Sequence, residues 1–340
     1  MAADLYAVLP SLVKSLILSL PDKVQARLEE IRIREGRPLE IVYDGCFRFV
    51  SPQGTLSEHP EVAYCPPREE CLKLLDLLSN HSLYTLEEEL RRGYITIRGG
   101  HRVGLAGRAV LDRGQVKLVR DIAGFNLRLA REMKGAADGL FPLLMDPVKR
   151  MLHHTLLISP PQQGKTTMLR DLARIAGNGF PAQHIKARKV GIVDERSELA
   201  ACVKGVPTFD VGARTDVLDA CPKAEGIMMM IRSMSPDVLV VDEIGRKEDA
   251  EAIHEALHAG ITVMASVHGR SVDDIRHRPG LAALVQEGVF GRYVVLGSHA
   301  GQRTQAVFDG LGRRMQRGAD PAAHPGGPPA PAAAYRESPA

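Results

Sequence analysis

Tryptophan is absent from the 340 residues, and all aromatics together reach only 4%. A surface that stacks bases on aromatic rings is therefore not favoured. Neither sign of charge dominates: Lys and Arg number 44 against 41 Asp and Glu, a net +3. An electrostatic grip on nucleic acid would need a larger excess or a basic block, so neither DNA nor RNA is expected as a partner. The five cysteines, Cys46, Cys65, Cys71, Cys202 and Cys221, are odd in number, irregularly spaced and never form C-x-x-C. That argues against a disulfide framework or a Cys-rich zinc site and points to a reducing cytoplasm. No apolar run approaches the roughly 18 residues of a membrane-crossing helix. The opening Met-Ala-Ala-Asp-Leu-Tyr lacks the basic and apolar segments of a signal peptide. Contact with a membrane is expected to run through a partner.

What remains is a globular average, 44% hydrophobic and 25% charged, over a length that suits two domains. Leu5, Val8, Leu9, Leu12, Val13, Leu16, Ile17 and Leu20 recur at helical spacing and predict a helix over residues 5–20. Lys14 is its only base, which favours packing on its own domain over a membrane-surface role. Strand-like runs follow at Glu30–Arg34, Leu39–Tyr43 and Phe47–Val50, with turns at Gly36-Arg37-Pro38 and Asp44-Gly45. A helix over 68–92 and strands at Tyr94–Arg98, Arg102–Leu111 and Gln115–Val119 complete a smaller α/β (α+β) N-terminal domain, residues 1–140. Beyond it, apolar strands at Thr155–Ile158, Val190–Val193, Val238–Val241, Ile261–Ser266, Tyr293–Leu296 and Gln305–Phe308 have helical segments between several of them. That alternation predicts a largely parallel sheet over residues 141–312. The final 20 residues hold 6 Pro and 7 Ala, so residues 313–340 are expected to be a disordered tail.

The chemistry concentrates in Thr155–Arg170, TLLISPPQQGKTTMLR. An apolar strand enters the loop Ser159-Pro160-Pro161-Gln162-Gln163-Gly164, and Lys165-Thr166-Thr167 opens an amphipathic helix. This is the strand–loop–helix context of a P-loop. Loop and helix N–H groups favour a polyphosphate, Lys165 would reach the β- and γ-phosphates, and Thr166 would ligate Mg²⁺. Ser159 stands where the GxxxxGK[ST] pattern has its first glycine, which predicts retained but retuned ATP binding. Val238-Leu239-Val240-Val241-Asp242-Glu243 is a strand ending in two carboxylates, 77 positions after Lys165. Asp242 is expected to hold Mg²⁺ through water, and Glu243 to orient and deprotonate the attacking water. Two more strand ends, Val193-Asp194-Glu195-Arg196 and Ser266-Val267-His268, place Glu195 and His268 at the carboxyl edge where ligands bind.

The order of P-loop, VDERSE, IRSMSPDVLVVDEIGR and ASVHG resembles the secretion-superfamily ATPases of type II and type IV secretion and of pilus retraction. HSLYTLEEELRRGYITIRGGHRVGLAGRAV, RDIAGFNLRLAR, KVGIVDERSELA, GARTDVLDACPKAEGIMMMIRSMSPDVLVVDEIGR and EDAEAIHEALHAG resemble, more closely still, the stage III sporulation AA family. The likeness covers most of residues 5–310. It implies a RecA-like P-loop ATPase domain and a cytoplasmic ATPase using ATP and Mg²⁺. It also implies a homo-oligomer, a hexamer, serving integral membrane proteins of a sporulation channel between mother cell and forespore, on the mother-cell side. By the same analogy, Arg128 and Arg131 of FNLRLAR, and Arg232 of IRSMSPD, are the candidates to meet transition-state charge, with Arg214 a looser one.

His254-Glu255-Ala256-Leu257-His258 matches H-E-x-x-H and would put two histidines on one helix face. It lies within the expected ATPase helix, and downstream candidates for a third ligand, such as Glu287, carry no recognisable metzincin pattern, which favours packing over zinc chemistry. Gly99-Gly100-His101-Arg102-Val103-Gly104 lies between strands, so it reads as a hairpin and not as a dinucleotide fingerprint. A nucleic-acid-stimulated ATPase, a small-molecule kinase and a nucleotide-binding scaffold without turnover stay open at this point.

Overall fold

The computed structural model describes residues 2–79, 90–91, 93–112, 114–130, 132–161, 163–181, 184–299 and 302–315. Arg131, Gln162, most of the second half of the helix expected over 68–92, and nearly all of the Pro/Ala-rich tail fall outside those residues.

The first half builds an antiparallel sheet. Its strands are β1 Leu28–Arg34, β2 Glu40–Tyr43, β3 Cys46–Val50, β4 Leu56–Ser57, β5 Tyr94–Ile97, β6 His101–Asp112 and β7 Gln115–Arg128, in the order β4-β3-β2-β1-β7-β6-β5. Helices α1 Ala2–Val8, α2 Ser11–Leu18, α3 Asp22–Gln25 and α4 Arg68–Leu78 accompany it. The helix expected over 5–20 is broken at Pro10, which lacks an N–H to continue α1 and caps the start of α2 instead. Its apolar stripe does pack on its own domain: Leu5, Val13 and Ile17 join Ile31, Ile33, Ile41 and Leu127 in one core.

Strand β7 runs nine residues past its expected end at Val119. The run Arg120-Asp121-Ile122-Ala123-Gly124 is polar and glycine-bearing, like a turn, yet β7 is paired on both sides, with β1 and β6. The turn-like signal marks an irregularity instead of an end. The β6–β7 register shifts between Ala106 and Arg108, Asp121 takes φ 47°, and a Cβ on Gly107 would lie 2.5 Å from the Arg120 carbonyl oxygen.

The second half is a doubly covered sheet. Its strands are β8 Thr155–Ser159, β9 Val190–Asp194, β10 Thr215–Asp219, β11 Val238–Val241, β12 Thr262–His268, β13 Arg292–His299 and β14 Gln302–Asp309. The order is β10-β9-β11-β12-β8-β13-β14, parallel throughout except for β14, which returns antiparallel along β13. Helices α5 Lys165–Asn178, α6 Lys223–Met234, α7 Lys247–His258, α8 Val272–Arg276 and α9 Ala282–Gln286 complete it. Leu157, Ile192 and Val240 face Leu169 and Leu172 of α5 in one core. Leu156, Val193 and Leu239 face Ile227 of α6 and Ile253 of α7 in the other. Coverage on both faces is why these strands read as continuous apolar runs. Edge strand β10 escaped the sequence reading because Thr215-Asp216-Val217-Leu218-Asp219 carries only two apolar residues.

Polar contacts tie the two halves together. Arg102 of β6 pairs with Glu198 at 2.8 Å, and Lys134 with Asp210 at 2.7 Å. Gly100, at φ 72°, sits so close to Ala201 and Phe209 that a Cβ would lie 2.5 Å from each.

Candidate active site

Strand β8 is buried to its last residue and delivers the chain to the loop 160–164. Gly164 takes a left-handed turn, φ 83°, and caps α5 without a side-chain hydrogen bond. The first N–H groups of α5 thus have no side chain on them, an arrangement suited to an anion. Ser159 keeps a negative φ and is fully buried; its Oγ donates to the Pro160 carbonyl at 2.7 Å, and its own carbonyl accepts from Gly269 N–H. Serine therefore makes the turn without the conformation that only glycine tolerates. Pro160 is half-buried and Pro161 exposed. Gln163, Gly164 and Thr167 line a cavity of about 920 Å³ whose wall mixes apolar Met168, Leu296 and Val307 with polar Thr304, Gln305 and Arg314.

Because β8 and β11 are parallel members of one sheet, their carboxyl ends meet. Lys165, 5% exposed, lies 3.4 Å from both Asp242 Oδ1 and Glu243 Oε1. Thr166 Oγ1 donates to Asp242 Oδ2 at 3.0 Å. Ser266 Oγ donates to Asp242 Oδ1 and accepts the Glu243 N–H. His268 Nε2 lies 2.9 Å from Glu243 Oε1, while its buried Nδ1 has no partner among the described residues. Arg196 Nη1 reaches Glu243 Oε2 at 2.7 Å. Glu243 sits at φ 53°, a left-handed conformation that costs a non-glycine residue roughly 1–2 kcal/mol. Burial alone would push its carboxyl up, but Lys165, Arg196 and His268 outweigh that and hold it below the ordinary glutamate value. The hydroxyl of Thr166 beside the Asp242 carboxylate is an all-oxygen set that fits a hard cation such as Mg²⁺.

Five of the residues singled out from the sequence, Lys165, Thr166, Asp242, Glu243 and His268, form this one cluster. Glu195 does not join it. Successive residues of an extended chain point to opposite faces, so Asp194 turns inward while Glu195 pairs with Lys223 of α6. Asp194 accepts N–H groups of Glu198, Leu199 and Ala200 at 2.9 Å, and burial, against those donors, pushes its carboxyl up to about 6. Arg128 pairs with Glu30 at 3.6 Å and lines a cleft of about 280 Å³ with Arg102, Thr166 and Thr167. Arg232 is exposed in the last turn of α6. That turn precedes β11, so Arg232 lies at the amino edge of the sheet, away from Glu243. Arg214 donates to the Ala187 carbonyl just before β10, also at the amino edge.

Ser266 and Arg196 were missed as functional residues. Their only signal is position, two residues before His268 and two after Asp194, in stretches read for their acid and histidine. His254 pairs with Glu287 at 3.5 Å. Among the described residues no group of three or more His, Cys, Asp or Glu could hold a metal ion. No described helix is long and apolar enough to cross a membrane.

The fold is shared with solved structures of ATPases. It matches the crystal structure of the pilus retraction motor PilT with bound ADP at a TM-score of 0.52 and 17% identity, covering 82% of this chain and 78% of that one. It matches the ATPase DotB of Yersinia pseudotuberculosis at a TM-score of 0.53 and 14% identity, over 83% and 75%. The fold is thus of the RecA-like P-loop class, preceded by a smaller α/β domain. Within that class the chain belongs to the family Sporulation stage III, protein AA, whose profile matches residues 2–315. It is 48% identical to Stage III sporulation protein AA of Bacillus subtilis (strain 168) over 315 residues, 92% of this chain and 97% of that protein.

Proposed function

We propose that this chain hydrolyses ATP with Mg²⁺ to energise a secretion-like membrane complex in sporulation, as a subunit of a homo-oligomer, a hexamer. It acts from the cytoplasmic side of a channel between mother cell and forespore, with integral membrane proteins as partners. The observation that carries the reading is the convergence of Lys165, Thr166, Asp242 and Glu243 at the carboxyl ends of β8 and β11.

The loop 159–164 and the start of α5 would cradle the phosphates, with Lys165 leaving its carboxylates for the β- and γ-phosphates. The cavity beside Gln163 and Met168, mostly apolar with a few polar groups such as Thr304 and Gln305, suits the nucleoside. Thr166 and Asp242 would hold Mg²⁺, which neutralises phosphate charge when bound. Glu243 takes the proton of the attacking water as its oxygen bonds to the γ-phosphorus. The bond from that phosphorus to the bridging oxygen breaks, and ADP and phosphate leave. His268 orients Glu243 or the water. Arg128, facing the Thr166 cleft, supplies positive charge from the N-terminal domain. Arg232, on the far edge, could serve only a neighbouring subunit.

The test is ATP turnover across protein concentration, with oligomer mass measured alongside. Glu243→Gln should lower the rate by about 10²–10⁴-fold, the usual value of a general base, while nucleotide binding persists. Parental turnover in that variant would remove the assignment, and a rate per chain independent of concentration would argue against an oligomeric motor.

A further inference from the structure

Glu243 accepts from a cation on each oxygen, and one of those cations is held from the other half of the molecule. Lys165 and His268 sit on Oε1, while Arg196 alone sits on Oε2. Under the ATPase reading Lys165 would turn to the phosphates, which leaves the Arg196 contact as the second hold on Glu243. A carboxylate with both oxygens engaged has poor access to a water proton. Arg196 is 57% exposed against 19% for Glu243, so its side chain has room to swing out.

The backbone beneath Arg196 has much less freedom. Asp194 caps three successive N–H groups just beyond it, and buried Arg170 donates to the carbonyls of Glu198 and Leu199. Ser197 holds a left-handed φ of 54° with its hydroxyl on Asp219. The remaining anchor comes from the N-terminal half: Arg102 Nη2 donates to the Arg196 carbonyl at 3.0 Å, Nη1 pairs with Glu198, and its guanidinium stacks 4.0 Å over the Tyr94 ring.

From this chain of contacts we infer that Arg196 is a positioning residue that keeps Glu243 from water, and that the N-terminal domain sets this clamp through Arg102. A shift of β5 and β6 relative to the 194–201 loop pulls on the Arg196 carbonyl and frees Glu243 Oε2. Hydrolysis is thereby restrained until the N-terminal domain moves. The inference rests on the ATPase reading above.

The full-length chain is compared with Arg196→Gln, Arg196→Lys and Arg102→Gln. Arg196→Gln should raise basal kcat by about 3–10-fold, the scale of an ordinary hydrogen bond, as suits a largely exposed and solvent-screened arginine, with KM for ATP changed less than about 2-fold. Arg196→Lys keeps a cation on Oε2 and should return kcat toward the parent. Arg102→Gln should raise kcat less, and add nothing in combination with Arg196→Gln, because the two act in series. Without nucleotide, Arg102→Gln should also speed amide hydrogen exchange over residues 195–200. A tenfold fall in kcat for Arg196→Gln would show that the arginine serves the transition state and would overturn the clamp. So would a kcat equal to the parent, or hydrogen exchange unchanged by Arg102→Gln. An active, Glu243-dependent parent with no gain in Arg196→Gln removes the clamp alone. A parent and Arg196→Gln both without turnover remove the ATPase reading and the clamp together, whereas turnover in Arg196→Gln alone supports both.

Discussion

The two sheets of this chain use similar side chains in different ways. In the N-terminal sheet β1 alternates buried and partly exposed residues, as an antiparallel strand with one covered face does. In the second sheet β8, β9 and β11 are buried at every position. A strand covered on both faces can carry polar chemistry only where it ends, and four such ends, β8, β9, β11 and β12, supply or support the Lys165–Asp242–Glu243 cluster. The N-terminal sheet brings the start of β6 and the end of β7 alongside it. It contributes arginines from its flank, Arg102 and Arg128, on a cleft shared with Thr166. One half thus gathers lysine and carboxylates at its strand ends, and the other sets arginines beside them.

If that division is real, damage should stay local. Ile31 and Ile192 are each fully buried in the core of their own sheet. Truncating either to Ala should cost about 2–5 kcal/mol. The contacts between the halves are largely polar, so denaturation followed by calorimetry should show two transitions. Ile31→Ala should lower one and Ile192→Ala the other. A single transition lowered equally by both would mean that the halves fold as one unit.

The next effect belongs to the second half alone. Asp194 is pushed up to about 6 in the folded protein from an ordinary 3.8. The native state therefore binds more protons between those values. Its contribution to stability is complete below about pH 4 and is lost as pH rises through about 6, at most about 3 kcal/mol. Denaturant titrations at several pH values should show the parent losing this term relative to Asp194→Asn. Identical pH slopes in the two proteins would place Asp194 among ordinary carboxylates.

The smallest expected effect is on binding. Lys165→Ala should weaken ATP by about 1.5–3 kcal/mol, the worth of a hydrogen bond to a charged group, as read by titration of a fluorescent ATP analogue. Unchanged affinity in a folded variant would discard the P-loop assignment.

The sequence disclosed the second half better than the first for the same reason. Apolar runs such as Val238–Val241 followed by Asp242-Glu243 are visible without knowing any partner strand. The extension of β7 past Val119 was hidden because the chain resumes pairing with β6 and takes up β1 only from Gly124 onward, where the polar, glycine-bearing stretch ends, which is tertiary information. Edge strand β10 was hidden because an edge needs little apolar surface. Within the site, the Lys165, Thr166, Asp242 and Glu243 positions follow from strand–loop–helix order. The divergence of Glu195 toward Lys223 depends on which face a loop residue takes after Asp194. The contact of Arg196 with Glu243 joins two loops 47 positions apart, and no local pattern announces it.

Ser159 bears on how the loop 159–164 waits for its ligand. Its negative φ and its bond to the Pro160 carbonyl mean that glycine at this position would widen the choices of the unfolded chain, by roughly 0.5–1 kcal/mol in entropy. With Pro160 and Pro161 following, the loop is stiff by composition. Under the ATPase reading, the phosphates would therefore meet, at Ser159-Pro160-Pro161, a segment that has already given up most of its freedom in folding.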